Sequence, residues 1–132
     1  MEKPFAEMNR VLKPGGKLVI IDMESAAEEL RDIEDEIETM RDCSHVKNRS
    51  RLEFEAIYDK YGYELEREET TLIPVKLSAW MDLTNTPVQA KNEIIMKMES
   101  ELQGKEKTGF SPYKKEEEVY FNQRWLLMIG IK

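Results

Sequence analysis

A short apolar run near the start of the chain, Lys17–Asp22 (KLVIID), most constrains how it can fold. Leu18, Val19, Ile20 and Ile21 follow one another without a polar residue, between Gly15-Gly16 and Asp22. A strand that is apolar on both faces belongs inside a sheet, with neighbours on either side. Almost nothing precedes it. The stretch KPFAEMNRVL reads as one short helix, with Pro4 in its first turn and Phe5, Met8 and Leu12 on one face. Lys13-Pro14-Gly15-Gly16 stops that helix, because Pro fixes φ and Gly supplies a positive φ in a tight turn. The strand therefore enters the fold with one side unaccounted for.

Downstream, the pattern predicts a long acidic helix over 25–42, with Leu30, Ile33, Ile37 and Met40 as a narrow apolar stripe. Glu28, Glu29, Asp32, Glu34, Asp35, Glu36 and Glu38 fill its other faces, a solvated surface by default. Ser50 and Glu53 have capping-box spacing for a helix to about Tyr61, with Leu52, Phe54, Ile57, Tyr58 and Tyr61 on its core side. YELEREETTLIPVKL is extended; Pro74 lacks a ladder donor, so this strand is an edge or ends there. Thr86 and Pro87 open a helix to about Gln103, with Val88, Ile95, Met98 and Leu102 facing inward. GKEKTGFSPYKKEEE reads as a charged loop, and RWLLMIGIK as a closing strand as apolar as the first. The fold class is α/β, a small mixed sheet of about three strands flanked by helices, with Pro74's strand outside the other two.

A chain of 132 residues is enough for one domain, 1–132, with one sizeable core. A net charge of −7 argues against a nucleic-acid or anionic-membrane partner, either of which calls for a basic face. No apolar run reaches the ~18 residues of a membrane span, and the first residues, MEKPFAEMNR, lack a signal core. Cys43 is the lone cysteine, so neither an internal disulfide nor a zinc cluster is expected, and a cytoplasmic location follows.

FAEMNRVLKPGGKLVIIDME resembles a stretch of the class I S-adenosylmethionine-dependent methyltransferases, in particular the ubiquinone/menaquinone-biosynthesis branch. There, a helix ending in RVLKPGG leads into the fifth strand of the sheet, which would be Lys17–Asp22. RDCSHVKNRSRLEFEAIYDKYGYELE resembles a later passage of that family, with Cys43 where Pro is usual and Lys47 where Arg is usual. SAWMDL and TGF before a closing apolar strand continue the match. The resemblance implies a Rossmann-like sheet whose last three strands are present, the C-terminal strand antiparallel between the other two. It also implies S-adenosylmethionine as cofactor. Yet the glycine-rich loop that lets backbone approach that cofactor, and the acid that holds its ribose, lie in the first half of the family's sheet. No G-x-G-x-G occurs here. The chain thus looks like the substrate-side, C-terminal half of such an enzyme, a truncated methyltransferase without cofactor-binding residues of its own.

In the complete family fold a further strand covers one edge of Lys17–Asp22. Without it the backbone groups along that edge are bare, and each such group, if buried unpaired, costs ~1–3 kcal/mol. Two coverings are expected: a second copy of the chain, making a homodimer through the edge of strand 17–22, or a separate chain carrying the missing half. Asp22, Met23 and Glu24 follow the strand's carboxyl end, where open α/β sheets bind ligands. His45 is the only histidine and the one side chain that ordinarily changes charge near neutral pH. His45 and Asp22 are accordingly the candidate catalytic bases; Met23, Glu24, Trp80 and Met81 are candidates for the substrate pocket.

Overall fold

The structure, a computed structural model, describes residues 2–132. The elements run α1 (Glu2–Val11), β1 (Lys17–Met23), a 3-10 turn (Glu28–Leu30), α2 (Arg31–Arg41), α3 (Arg51–Lys60), β2 (Glu64–Lys76), α4 (Leu77–Asp82), α5 (Val88–Leu102), β3 (Tyr113–Lys115) and β4 (Glu118–Ile131). The sheet order is β1-β4-β2, with β3 also pairing with β4. The C-terminal strand lies between the other two and antiparallel to β1, from Lys17 opposite Ile131 to Met23 opposite Trp125. The strand that holds Pro74 is an edge and continues past it to Lys76. β1 has β4 on one side and no named strand on the other among the described residues.

The chain gathers into two compact units. The first comprises 1–24, 49–71 and 124–132. Its core is Leu18, Phe54, Tyr58, Tyr63, Leu126 and Met128, with Phe5 of α1, Leu12 just past its end and Ile57 of α3 packed against it. Residues alternate across a sheet, so Leu18, Leu126 and Met128 define the face that α1 and α3 cover. The Tyr58 hydroxyl lies 3.3 Å from the Leu18 carbonyl oxygen and 3.1 Å from that of Met128, tying α3 to both strands. A Cβ at Gly130 would stand 2.5 Å from the Tyr58 ring, which is why a glycine interrupts an otherwise apolar central strand. Ser50 and Glu53 form the predicted capping box. Leu52 departs from its predicted place and is 74% exposed, because the buried face of α3 carries Phe54 and Tyr58 instead.

The second unit comprises 25–48 and 72–123, with a core of Ile37, Leu77, Trp80, Met81, Ile94, Met98, Phe110 and Phe121. Here the structure revises several expectations. The acidic helix begins at Arg31, not at 25, because Ala27 is extended and only a 3-10 turn precedes α2. Its acids are not all solvated: Glu34 and Glu38 are buried. The Glu34 carboxylate accepts the Ala26 N–H at 2.7 Å, satisfying backbone that the late helix start leaves unpaired. Thr86 does not cap α5; its buried hydroxyl sits 2.8 Å from the Met81 carbonyl oxygen and 3.0 Å from that of Arg41. The inner face of α5 carries Ile94 and Met98, while Val88 and Ile95 are exposed. The charged loop contains the β3–β4 hairpin, whose turn residues Glu116 and Glu117 both have positive φ, the backbone of a tight type I′ connection.

Candidate functional site

The carboxyl end of β1 lies in the first unit and is built around Glu24. Its backbone N–H donates to the Arg124 carbonyl at 2.9 Å, which holds Glu24 in line with β1, and an isolated parallel bridge joins it to Arg49. One carboxylate oxygen lies 3.3 Å from Arg51 Nε; the other accepts the Thr70 hydroxyl at 2.7 Å. Arg51 also donates to Thr70 and pairs with Glu68 at 3.0 Å. The α3 N-terminus thus holds a guanidinium between two acids and a hydroxyl carried by β1 and β2. Neighbouring Glu55 has its pKa raised by burial and by the Glu68 carboxylate. Asp22 is exposed, its Oδ1 accepting the Met23 N–H at 2.8 Å, and Met23 is half-buried.

The sequence singles out Glu24 but not its partners Arg51, Glu68 and Thr70. Ion pairs to an isolated Arg in mid-sequence carry no spacing signal; only the fold brings 24, 51, 68 and 70 together. Because the Arg51 side chain is 39% exposed, solvent screens its pairs. Arg51→Ala is therefore expected to cost only about 1 kcal/mol in urea melts; a loss several times larger would show the cluster to be a structural keystone.

In the second unit, His45 Nε2 lies 3.3 Å from Asp35 Oδ1, and the imidazole is largely buried. Trp80 and Met81 are core residues, 2% and 3% exposed. The Trp80 ring meets Phe110 and Phe121 at centroid distances of 5.5 and 5.0 Å, and the Arg41 guanidinium stands 4.3 Å over it. Beneath lies Glu38, 2% exposed, 3.4 Å from Arg41 Nε, with a pKa pushed up to about 7 by burial. An open groove of 580 Å³ runs beside α5, lined by residues such as Ile33, Met96, Lys97 and Thr108. None of the sequence-predicted site residues lines it.

The residues present do not fit S-adenosylmethionine. Gly15 and Gly16 turn α1 into β1, Gly15 N–H donating to the Lys132 carbonyl at 2.7 Å, at the opposite end of the strand from Glu24. Gly62 and Gly104 follow helix ends, Gly109 packs on Ala26 and Gly130 on Tyr58. No glycine among the described residues is left to make a cradle that a cofactor could approach. No group of three or more metal-ligating side chains occurs among them either. No described helix is long and apolar enough to cross a membrane.

No protein-family model matches the chain. Among curated proteins it is 34% identical over 82 residues to the uncharacterized protein YafE of Escherichia coli (strain K12), a match that covers 61% of this chain and 40% of YafE. It is 24% identical over 96 residues to the uncharacterized methyltransferase YcgJ of Bacillus subtilis (strain 168), covering 72% of this chain and 38% of YcgJ. These sequence matches therefore span only about two fifths of each curated relative. Among solved structures, a candidate methyltransferase, BH2331 of Bacillus halodurans C-125, superposes with a TM-score of 0.80 at 25% identity, over 97% of this chain and 56% of that one. The YcgJ crystal structure superposes with a TM-score of 0.81 at 21% identity, over 99% of this chain and 57% of that one. With its C-terminal strand antiparallel between β1 and β2, the chain carries a class I methyltransferase-like fold, over little more than half the length of the solved proteins that share it.

Proposed function

We propose that this chain is the acceptor-side part of a cytoplasmic S-adenosylmethionine-dependent methyltransferase acting on a small molecule, and that it does not turn over alone. The observation that carries the reading is the near-complete superposition of this chain on just over half of two solved methyltransferase-type proteins, with no glycine cradle in the half it represents. Asp22, exposed near the carboxyl end of β1, and His45, held against Asp35, are the side chains suited to take a proton from an acceptor. Met23 and Glu24 line the acceptor side in this reading; Trp80 and Met81, buried in the core of the second unit, serve packing there. Calorimetric titration of the chain with S-adenosylmethionine should show no saturable heat; a micromolar Kd would overturn the need for another half. A second reading, a non-catalytic dimeric binding module, draws on the exposed Val19 and Ile21 of β1 and places a second copy there.

A further inference from the structure

We infer that the open edge of β1 and the apolar sheet face beside it form one docking surface for a polypeptide segment that supplies both a β-strand and an amphipathic helix. The identity of that occupant, the complement of the half-fold, rests on the reading above; the existence of the surface does not. Among the described residues, the backbone of Lys17–Met23 pairs with β4 alone, and the Glu24–Arg49 bridge lies beyond the strand's end. Val19 and Ile21 are 51% and 65% exposed. They stand opposite Ile129 and Leu127, on the face turned away from Leu18, Leu126 and Met128. Apart from Lys17 and Asp22 near its two ends, this edge is apolar and largely β-branched, which soluble proteins avoid unless something covers it.

A second copy covers this surface poorly. Paired edge to edge, two β1 strands would make a continuous sheet yet leave both apolar faces in water. Packed face to face, they would leave both edges open. Either arrangement also brings a charge of −7 against another −7. A strand joined to a helix covers both at once, since the helix of such a unit packs back onto the sheet it extends. The solved relatives have chain to do this: more than two fifths of each lies outside the part that this chain matches. The occupant is therefore a β-branched strand with an apolar-faced helix, neutral or basic in net charge.

The test co-expresses the full chain with the part of Bacillus subtilis YcgJ that has no counterpart in it, then measures mass by analytical ultracentrifugation and amide exchange by mass spectrometry. The chain alone should be a monomer of 15.6 kDa with fast exchange over residues 17–23. With the complement it should form a one-to-one complex in which that exchange slows roughly tenfold or more. Ile21→Lys, an exposed position, should abolish the complex at an unchanged melting temperature. A stable homodimer that protects residues 17–23, or failure of the two parts to copurify, overturns the inference. A complex that does not bind S-adenosylmethionine supports the docking surface and removes the methyltransferase reading, so the two fail separately.

Discussion

Trp80→Ala should lower the unfolding free energy by about 4 kcal/mol, the usual cost of emptying a large aromatic site in a packed core. Trp80 is 2% exposed and wedged between Phe110 and Phe121, with Ile37, Ile94 and Met98 completing the cluster. Those neighbours sit on α2, α5, β4 and the loop before β3 and cannot all collapse into the space. The substitution also removes the ring under the Arg41 guanidinium, a contact of ~0.5–1 kcal/mol or more when desolvated. Urea melts followed by far-UV circular dichroism would measure it. Trp80→Phe should cost far less, because the Trp80 Nε1 has no hydrogen-bond partner to lose. A loss below about 1 kcal/mol for Trp80→Ala would remove Trp80 from the core and favour an open pocket wall in its place.

What the sequence could show of this molecule follows from which signals are local. The Ser50/Glu53 box and the proline in β2 are each written within a few residues, and each stands where local chemistry puts it. The doubly apolar run at Leu18–Ile21 forms the expected strand but lies at a sheet edge, not inside, with Val19 and Ile21 exposed, because only β4 pairs with it among the described residues. Pro74 in particular separates an edge strand from an interior one without knowledge of the partner. The helix faces were less legible. On α5, Ile94 and Ile95 are adjacent and equally apolar, so periodicity alone does not choose between them; packing against the Trp80 cluster selects Ile94. On α2 the apolar stripe is too narrow to fill the space beside it, and the buried carboxylates of Glu34 and Glu38 complete that side. No pattern rule places an acid there. The β3–β4 hairpin was hidden for a related reason: Lys114, Lys115, Glu116 and Glu117 look like solvated loop, and only the two left-handed residues convert the loop into a turn. Of the candidate site, Asp22, Met23 and Glu24 could be singled out from the sequence because strand carboxyl ends are where open α/β sheets place ligands. The Arg51–Thr70–Glu68 group depends on α3, β2 and the end of β1 meeting around Glu24 and could not be.

Glu38→Gln should leave stability nearly unchanged near pH 5 and raise it by about 2 kcal/mol near pH 8. The Glu38 carboxyl has a pKa of about 7 in the folded chain against 4.5 for an ordinary glutamate, because burial disfavours its ionised form. Arg41 at 3.4 Å opposes that shift, while Glu34, Asp42 and Asp35 add to it. The folded state therefore holds a proton that the unfolded state has released. Stability from this group is fully present below about pH 4.5 and is lost as pH rises through about 7. The whole shift corresponds to about 3 kcal/mol; Gln carries no charge to desolvate but forfeits the attraction to Arg41, hence the smaller gain. Urea midpoints of both proteins across this range isolate the effect, since the other titrating groups are common to both. A gain of equal size at both ends of the range would mean that Glu38 keeps one charge state throughout, and that the Arg41 pair offsets its burial.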